Sequence, residues 1–220
     1  MNIDFPVLIP KFDKILERGL CSGLGAADGQ MCIEAAITQC LGLPFGDNPS
    51  CVTPAVRSYK IALNDKIWSS PQARAAGLRN LGIAQIGSAG VVDDSEFLRR
   101  LAEKTIRVLI PALFRELFPD KPALLAVADR CEKEGTKEAA REARRLAAAA
   151  DADADAYSAA YAAAAAADAA ADAAANAAAD AAAKPRTDKY LLLSASLALD
   201  VLRELKSPGC EWLDWKEAAQ

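Results

Sequence analysis

Apolar positions along this chain recur at intervals of three and four residues, the period of helices that turn one face to a core. The stretch "DDSEFLRRLAEKTIRVLIPALFRELF" carries the pattern most clearly. Leu98, Leu101, Thr105, Leu109 and Ala112 share one face, while Arg99–Glu103 and Glu103–Arg107 stand four apart on the other. Pro111 should kink that helix or end its first half, because its ring crowds the carbonyl four residues back.

Cap and stop residues mark out the other helices. Asp28 is placed to cap "GQMCIEAAITQCLGL", with Met31, Ala35 and Thr38 facing inward beside Cys32, Ala36 and Cys40, and Gly42 supplying the stop. Thr53 precedes Pro54 and Ser70 precedes Pro71, the N-cap followed by proline that opens a helix. A further helix runs from Pro122 toward Glu134 and stops at Gly135, after which Thr136 caps the next. "GLPFGDNPS" and "GIAQIGSAG" read as ordered turns between helices. Nothing shows the period of a strand, so the expected class is all-α, a helical bundle.

Two segments depart from the ordinary pattern. From Lys137 onward alanine comes to dominate as far as Lys184, and one continuous helix there would run roughly 70 Å. Aspartate is a poor interior helix former, so "DADADAYS" is the expected break, leaving either one long alanine-rich helix or a helical hairpin broken near Asp151 to Asp155. Methyl groups bury little area, so this stretch forms no large core alone, yet it lets another helix approach closely. Its acids are too few for nucleic-acid mimicry. An ice-binding face repeating every 11 residues fails as well, since Ala179 and Ala183 do not continue the interval from Tyr157 to Asp168 and Tyr161 to Asp172. The expectation is a stiff arm or close-packing strut, with Tyr157, Tyr161, Asp168, Asp172 and Asp180 as the candidate partner-docking residues.

The second segment is "YLLLSASLALDVLREL". Its leucines (Leu191, Leu192, Leu193, Leu197, Leu199, Leu202, Leu205) cover most of a helix's circumference, so that helix must be buried on several sides and return to the N-terminal helices. Trimming after Pro208 is expected to be tolerated. Three units follow: an N-terminal helical bundle over 1–134, an alanine-rich arm over 135–184, and a leucine-rich helix over 185–220 that packs back on the bundle.

Composition then narrows the chemistry. The chain has no histidine, which removes Ser–His and Cys–His catalysis and His-ligated zinc or haem. Its six cysteines include no C-x2–4-C pair, so they are expected to be free thiols holding no metal. Cys32 lies near a helix start, but Asp28 and Glu34 oppose thiolate formation there. "GLCSGLGAADG" lacks the preceding strand and the Lys-Ser/Thr of a phosphate loop. A net charge of −4 and a pI near 5.1 argue against a nucleic-acid partner. The bases between Val56 and Arg107 are dispersed over three helices and read first as solvated, paired faces.

No run is long and apolar enough to span a bilayer, and "MNIDFPVLIPKFDKIL" lacks the form of a signal peptide, so a cytoplasmic protein is expected. No cofactor is implied. The leading expectation is a non-enzymatic helical interaction or regulatory protein, which uses the alanine-rich helix to contact a protein partner or a second copy. The alternative is a small-molecule or nucleotide-binding protein with a basic pocket between the N-terminal helices, where Arg57, Lys60, Arg74 and Arg79 would be the anion contacts.

Overall fold

A computed structural model describes residues 3–149 and 188–214, and every regular element among them is helical. The α-helices are α1 (Phe5–Leu16), α2 (Ile33–Cys40), α3 (Pro54–Asn64), α4 (Pro71–Ala84), α5 (Asp94–Lys104), α6 (Ile110–Leu117), α7 (Pro122–Glu134), α8 (Lys137–Ala149) and α9 (Asp188–Glu204). A π turn (Thr105–Leu109) joins α5 to α6, and a 3₁₀ turn (Pro208–Trp212) follows α9. The all-α class expected from the sequence is the observed one. The long alanine-rich helix or hairpin lies outside the described residues beyond Ala149, as does Trp215.

Helix α4 is the element around which the others gather. It meets α9, α1, α2, α3 and the 3₁₀ turn, and two glycines let it do so at short range. A Cβ on Gly82 would stand 2.9 Å from both the Phe12 ring and Ile33, and one on Gly77 would stand 2.5 Å from the Trp68 ring. A methyl group at either position would force α1 and α2, or the turn before α4, outward. One continuous core results, running from Phe5 and Phe12 through Tyr59, Leu78, Phe97 and Phe114 to Leu202.

The caps show where local reading held and where tertiary contacts took over. Ser70 accepts from the Ala73 amide at 3.0 Å, and Thr136 from the Ala139 amide at 3.3 Å, as their positions before a helix require. Asp28 does not cap α2. Cys32 does, its Sγ accepting from the Ala35 amide at 3.4 Å, because the glycine-rich loop is folded back by Cys21 N–H to Met31 O at 3.1 Å and delays the helix. Thr53 stands at the N-cap of α3 without a side-chain cap of its own. Asp94 from α5 takes that role, accepting from the Ala55 amide at 3.1 Å and from the Thr53 hydroxyl.

The helix is divided before Pro111: α5 ends at Lys104, a π turn follows, and Pro111 stands in the first turn of α6. The Ile110 amide reaches back five residues to the Thr105 carbonyl, and the chain continues as α6. This wider turn accommodates a residue that has no N–H to give and whose ring crowds the preceding turn. The same region clamps α7. The Arg107 guanidinium donates to the carbonyls of Glu132 (3.0 Å), Lys133 (2.7 Å) and Glu134 (2.8 Å), which have no partner within the helix. Gly135, at φ +63°, lies under that guanidinium, where a Cβ would come within 2.4 Å of Arg107 Nε.

Helix α9 packs against α4, α5 and the π turn. Leu191, Leu197, Leu199 and Leu202 are buried, and Tyr59 donates to the Ser194 carbonyl at 2.7 Å from the centre of the core. Helix α8, read from the sequence as the start of the arm, lays Ala139, Ala140, Ala143 and Ala147 against the body. Helix α1 escaped the sequence reading, although Phe5, Leu8, Ile9, Phe12 and Leu16 follow a helical period behind the cap at Asp4.

The tail beyond Pro208 is not idle. The Gly209 amide donates to the Ile86 carbonyl at 3.0 Å, and Trp212 stacks on Phe5 with ring centroids 5.0 Å apart and planes 5° from parallel. Trp212→Ala is therefore expected to cost about 1–3 kcal/mol, less than a full core tryptophan because the ring is half-buried. Ending the chain at Pro208 should cost at least as much. Urea unfolding checks both, and unchanged midpoints would make the stacking contact inconsequential.

Candidate functional site

The densest chemistry in the described residues is sealed inside the body, where α2, α3 and the end of α4 meet. Glu34 lies in the first turn of α2 and Lys60 in the second half of α3, and both side chains are fully buried. Lys60 Nζ stands 3.0 Å from Glu34 Oε1, and Gln85, the residue that ends α4, donates from Nε2 to Glu34 Oε2 at 3.0 Å. Gln85 Oε1 has no hydrogen-bond partner. Burial pushes the Glu34 carboxyl up and the Lys60 ammonium down, and in each case the opposite charge resists the shift. Arg57, one turn before Lys60, also favours the Glu34 anion.

Cys32 and Cys51 border this pair closely enough to act on Lys60 electrostatically. Burial raises both thiols, and the Glu34 charge adds to the effect. The Cys32 sulfur already serves as a helix cap. These are poor nucleophiles held as packing groups. Cys40 is pushed up to about 12, and Cys131 and Cys210 to about 11, again chiefly by burial. All six cysteines are free, and no metal-holding cluster of three acidic or thiol side chains occurs among the described residues.

Asn64, fully buried at the end of α3, ties this cluster to the glycine-rich loop. Its Oδ1 accepts from the Ile33 amide at 3.3 Å, and its Nδ2 donates to the Cys21 carbonyl at 2.9 Å. An open cleft of about 360 Å³ lies over the turn after α2, lined by Thr38, Leu43, Pro44, Asp47, Asn48 and Ser50. Its carboxylate is engaged: Arg57 donates to the Asp47 carbonyl at 2.6 Å and to its Oδ1 at 3.0 Å.

The four bases singled out from the sequence do not converge. Arg57 is held by Asp47 and Lys60 by Glu34. Arg74 donates to the carbonyls of Leu20 (2.8 Å) and Lys66 (3.1 Å), and Arg79 grips Asp13 with two bonds of 2.6 and 2.7 Å. Only Arg57 and Lys60 share a neighbourhood, around Glu34. The bases of α5 and the π turn are paired as their spacing suggested. Arg99 and Arg107 reach Glu103 at 3.6 and 2.9 Å, and beyond those expected pairs Arg99 and Arg100 bind Glu96 at 2.8 and 2.7 Å and Arg100 and Lys104 reach Glu204 on α9 at 3.1 and 2.8 Å. Tyr157, Tyr161, Asp168, Asp172 and Asp180 lie outside the described residues.

Sequence reading missed the Glu34–Lys60 pair. Its one local signal was Glu34 within "MCIEAA", an acid set among small and apolar residues on a helix expected to be buried. No protein-family model matches the chain, and no curated protein or solved structure is significantly similar to it. No described helix is long and apolar enough to cross a membrane.

The geometry makes the cluster a structural tie between three helices. Lys60→Met alone should cost about 3–5 kcal/mol in urea unfolding, because it strands a buried carboxylate. Combining it with Glu34→Leu and Gln85→Leu should recover most of that loss, since no polar group is then left without a partner. A triple variant no more stable than the single one would contradict this account. Separately, iodoacetamide at mildly alkaline pH should modify the native thiols slowly and reach all six only in denaturant, as mass spectrometry would show.

Proposed function

We propose that this chain is a non-enzymatic helical interaction protein of the cytoplasm, which presents its alanine-rich residues as a strut or docking surface to a protein partner or a second copy. The observation that carries this reading is how the two ends of that segment are held. Helix α8 runs back along α7, with Arg130 joined to Glu142 across the pair and to Glu134 on its own helix. Its last turn therefore lies beside the start of α7. The start of α7 adjoins the end of α6, where Glu116 accepts from the Tyr190 hydroxyl at 2.7 Å and pairs with Lys189 at the start of α9. Asp188 is held in turn by the Ser69 amide at 2.9 Å and by the Ser69 hydroxyl.

The described residues on either side of 150–187 are thus both fixed to the body. What supports the reading is that the helices flanking the alanine-rich residues, α8 and α9, are pinned to the body by ion pairs and hydrogen bonds. The basic-pocket reading draws no comparable support, because Arg57, Lys60, Arg74 and Arg79 each already have a partner within the chain.

Replacing residues 150–187 by a Gly-Ser linker of about 12 residues, which can span up to about 40 Å, tests the proposal. The excised protein is expected to melt cooperatively within about 4 °C of the full chain. It should also lose the self-association seen by light scattering, or the retention of a partner that the full chain retains. Assembly and partner retention both unchanged by the excision would sink the proposal.

A further inference from the structure

Buried side-chain atoms without a hydrogen-bond partner are few among the described residues, and they gather in one place. Four such atoms occur: Arg74 Nε, and then Glu34 Oε1, Lys60 Nζ and Gln85 Oε1, which all belong to the cluster between α2, α3 and the end of α4. Lys60 Nζ lies 3.0 Å from Glu34 Oε1, close enough for the charges to attract. The approach is nevertheless not aligned as a hydrogen bond, and both atoms keep their bonding capacity. Gln85 cannot mend this by turning its amide over. Its Nε2 donates to Glu34 Oε2 at 3.0 Å, and the reversed amide would set a carbonyl oxygen against a carboxylate oxygen. The neighbouring Cys32 sulfur is taken up by the Ala35 amide. None of the three side chains turns to solvent, since each is fully buried.

We infer that this cluster is a binding site for one internal water molecule, shared by Lys60 Nζ, Glu34 Oε1 and Gln85 Oε1. A single carboxylate meets both Lys60 and Gln85, so the three atoms are grouped about it. Their donor and acceptor pattern selects the ligand. The ammonium can only donate, and the carboxylate and amide oxygens can only accept. A common partner must therefore accept once and donate twice, which a water molecule does with its two lone pairs and two hydrogens. A cation would be repelled by the ammonium, and an anion by both oxygens. An apolar guest would satisfy none of the three atoms. Three bonds to otherwise unsatisfied polar groups is the usual complement of a buried water. One partner comes from each of α2, α3 and the end of α4, so the water is enclosed as these helices pack and is released only when they part. It joins the ion pair as a further polar member of the tie between them.

Oxygen-17 and deuteron magnetic relaxation dispersion on the full chain tests the site, because it counts water molecules held inside a protein for longer than the protein takes to tumble. The triple variant Glu34→Leu, Lys60→Met and Gln85→Leu removes every partner at once. It is expected to lose the dispersion amplitude of one long-lived water relative to the unaltered protein. Equal amplitudes in the two folded proteins would overturn the inference. A crystal structure of the full chain needs no variant, and it decides the matter if the triple variant does not fold. A water peak is expected about 2.7–3.2 Å from all three atoms. A direct bond from Lys60 to Gln85 Oε1, an ion in that place, or no ordered density between the three atoms would each overturn it. Neither measurement bears on the alanine-rich residues, so this site and the proposed function stand or fall separately.

Discussion

An ammonium and a carboxylate placed where water cannot reach must find each other, and the meeting of Glu34 and Lys60 imposes a register on the helices that carry them. Helix α2 cannot slide or turn against α3 without parting the pair, and Gln85 brings the end of α4 under the same constraint. The cluster contributes little net stability when weighed against an apolar replacement. Its effect is on uniqueness, since any alternative packing of these three helices would strand a charge in the core. The neighbouring thiols and Asn64 extend the tie to the glycine-rich loop.

Close approach supplies what the ion pair does not. Gly77 and Gly82 give α4 two bare faces, one against Trp68 and Leu192, the other against Phe12 and Ile33. With α4 held between them, α1, α2 and α9 share a single core, and the Trp212–Phe5 stack closes it at the far end of the chain. The surface is settled in the same manner. Most of its arginines are committed to carboxylates or to the open carbonyls of helix ends, as Arg107 is over α7. A body organised in this way leaves one region distinguished from the rest, the end where α8 finishes and α9 begins.

Much of the fold was legible from local rules. Helical periodicity gave the class, and Ser70, Thr136 and Gly135 act where their positions place them. The failures share one cause. Asp28 and Thr53 are sound caps by position, but the loop before α2 is closed by backbone bonds and α3 receives a carboxylate from Asp94, about forty positions away. Pro111 has a local effect that was foreseen, and a local remedy, the π turn, that was not.

The candidate site divides along the same line. Composition and the spacing of apolar residues alone established that histidine chemistry is absent and that α9 must be buried. Which bases are free to bind anything was decided only by tertiary structure. Arg57, Lys60, Arg74 and Arg79 look like a shared basic face in one dimension, yet each is neutralised or bonded by a group remote in sequence: Asp47, Glu34, Leu20 and Asp13. A helix's period and its caps are written within a few residues, because the backbone bonds that make them span four. The partner of a charge is chosen by packing, which brings together residues that no window on the sequence contains.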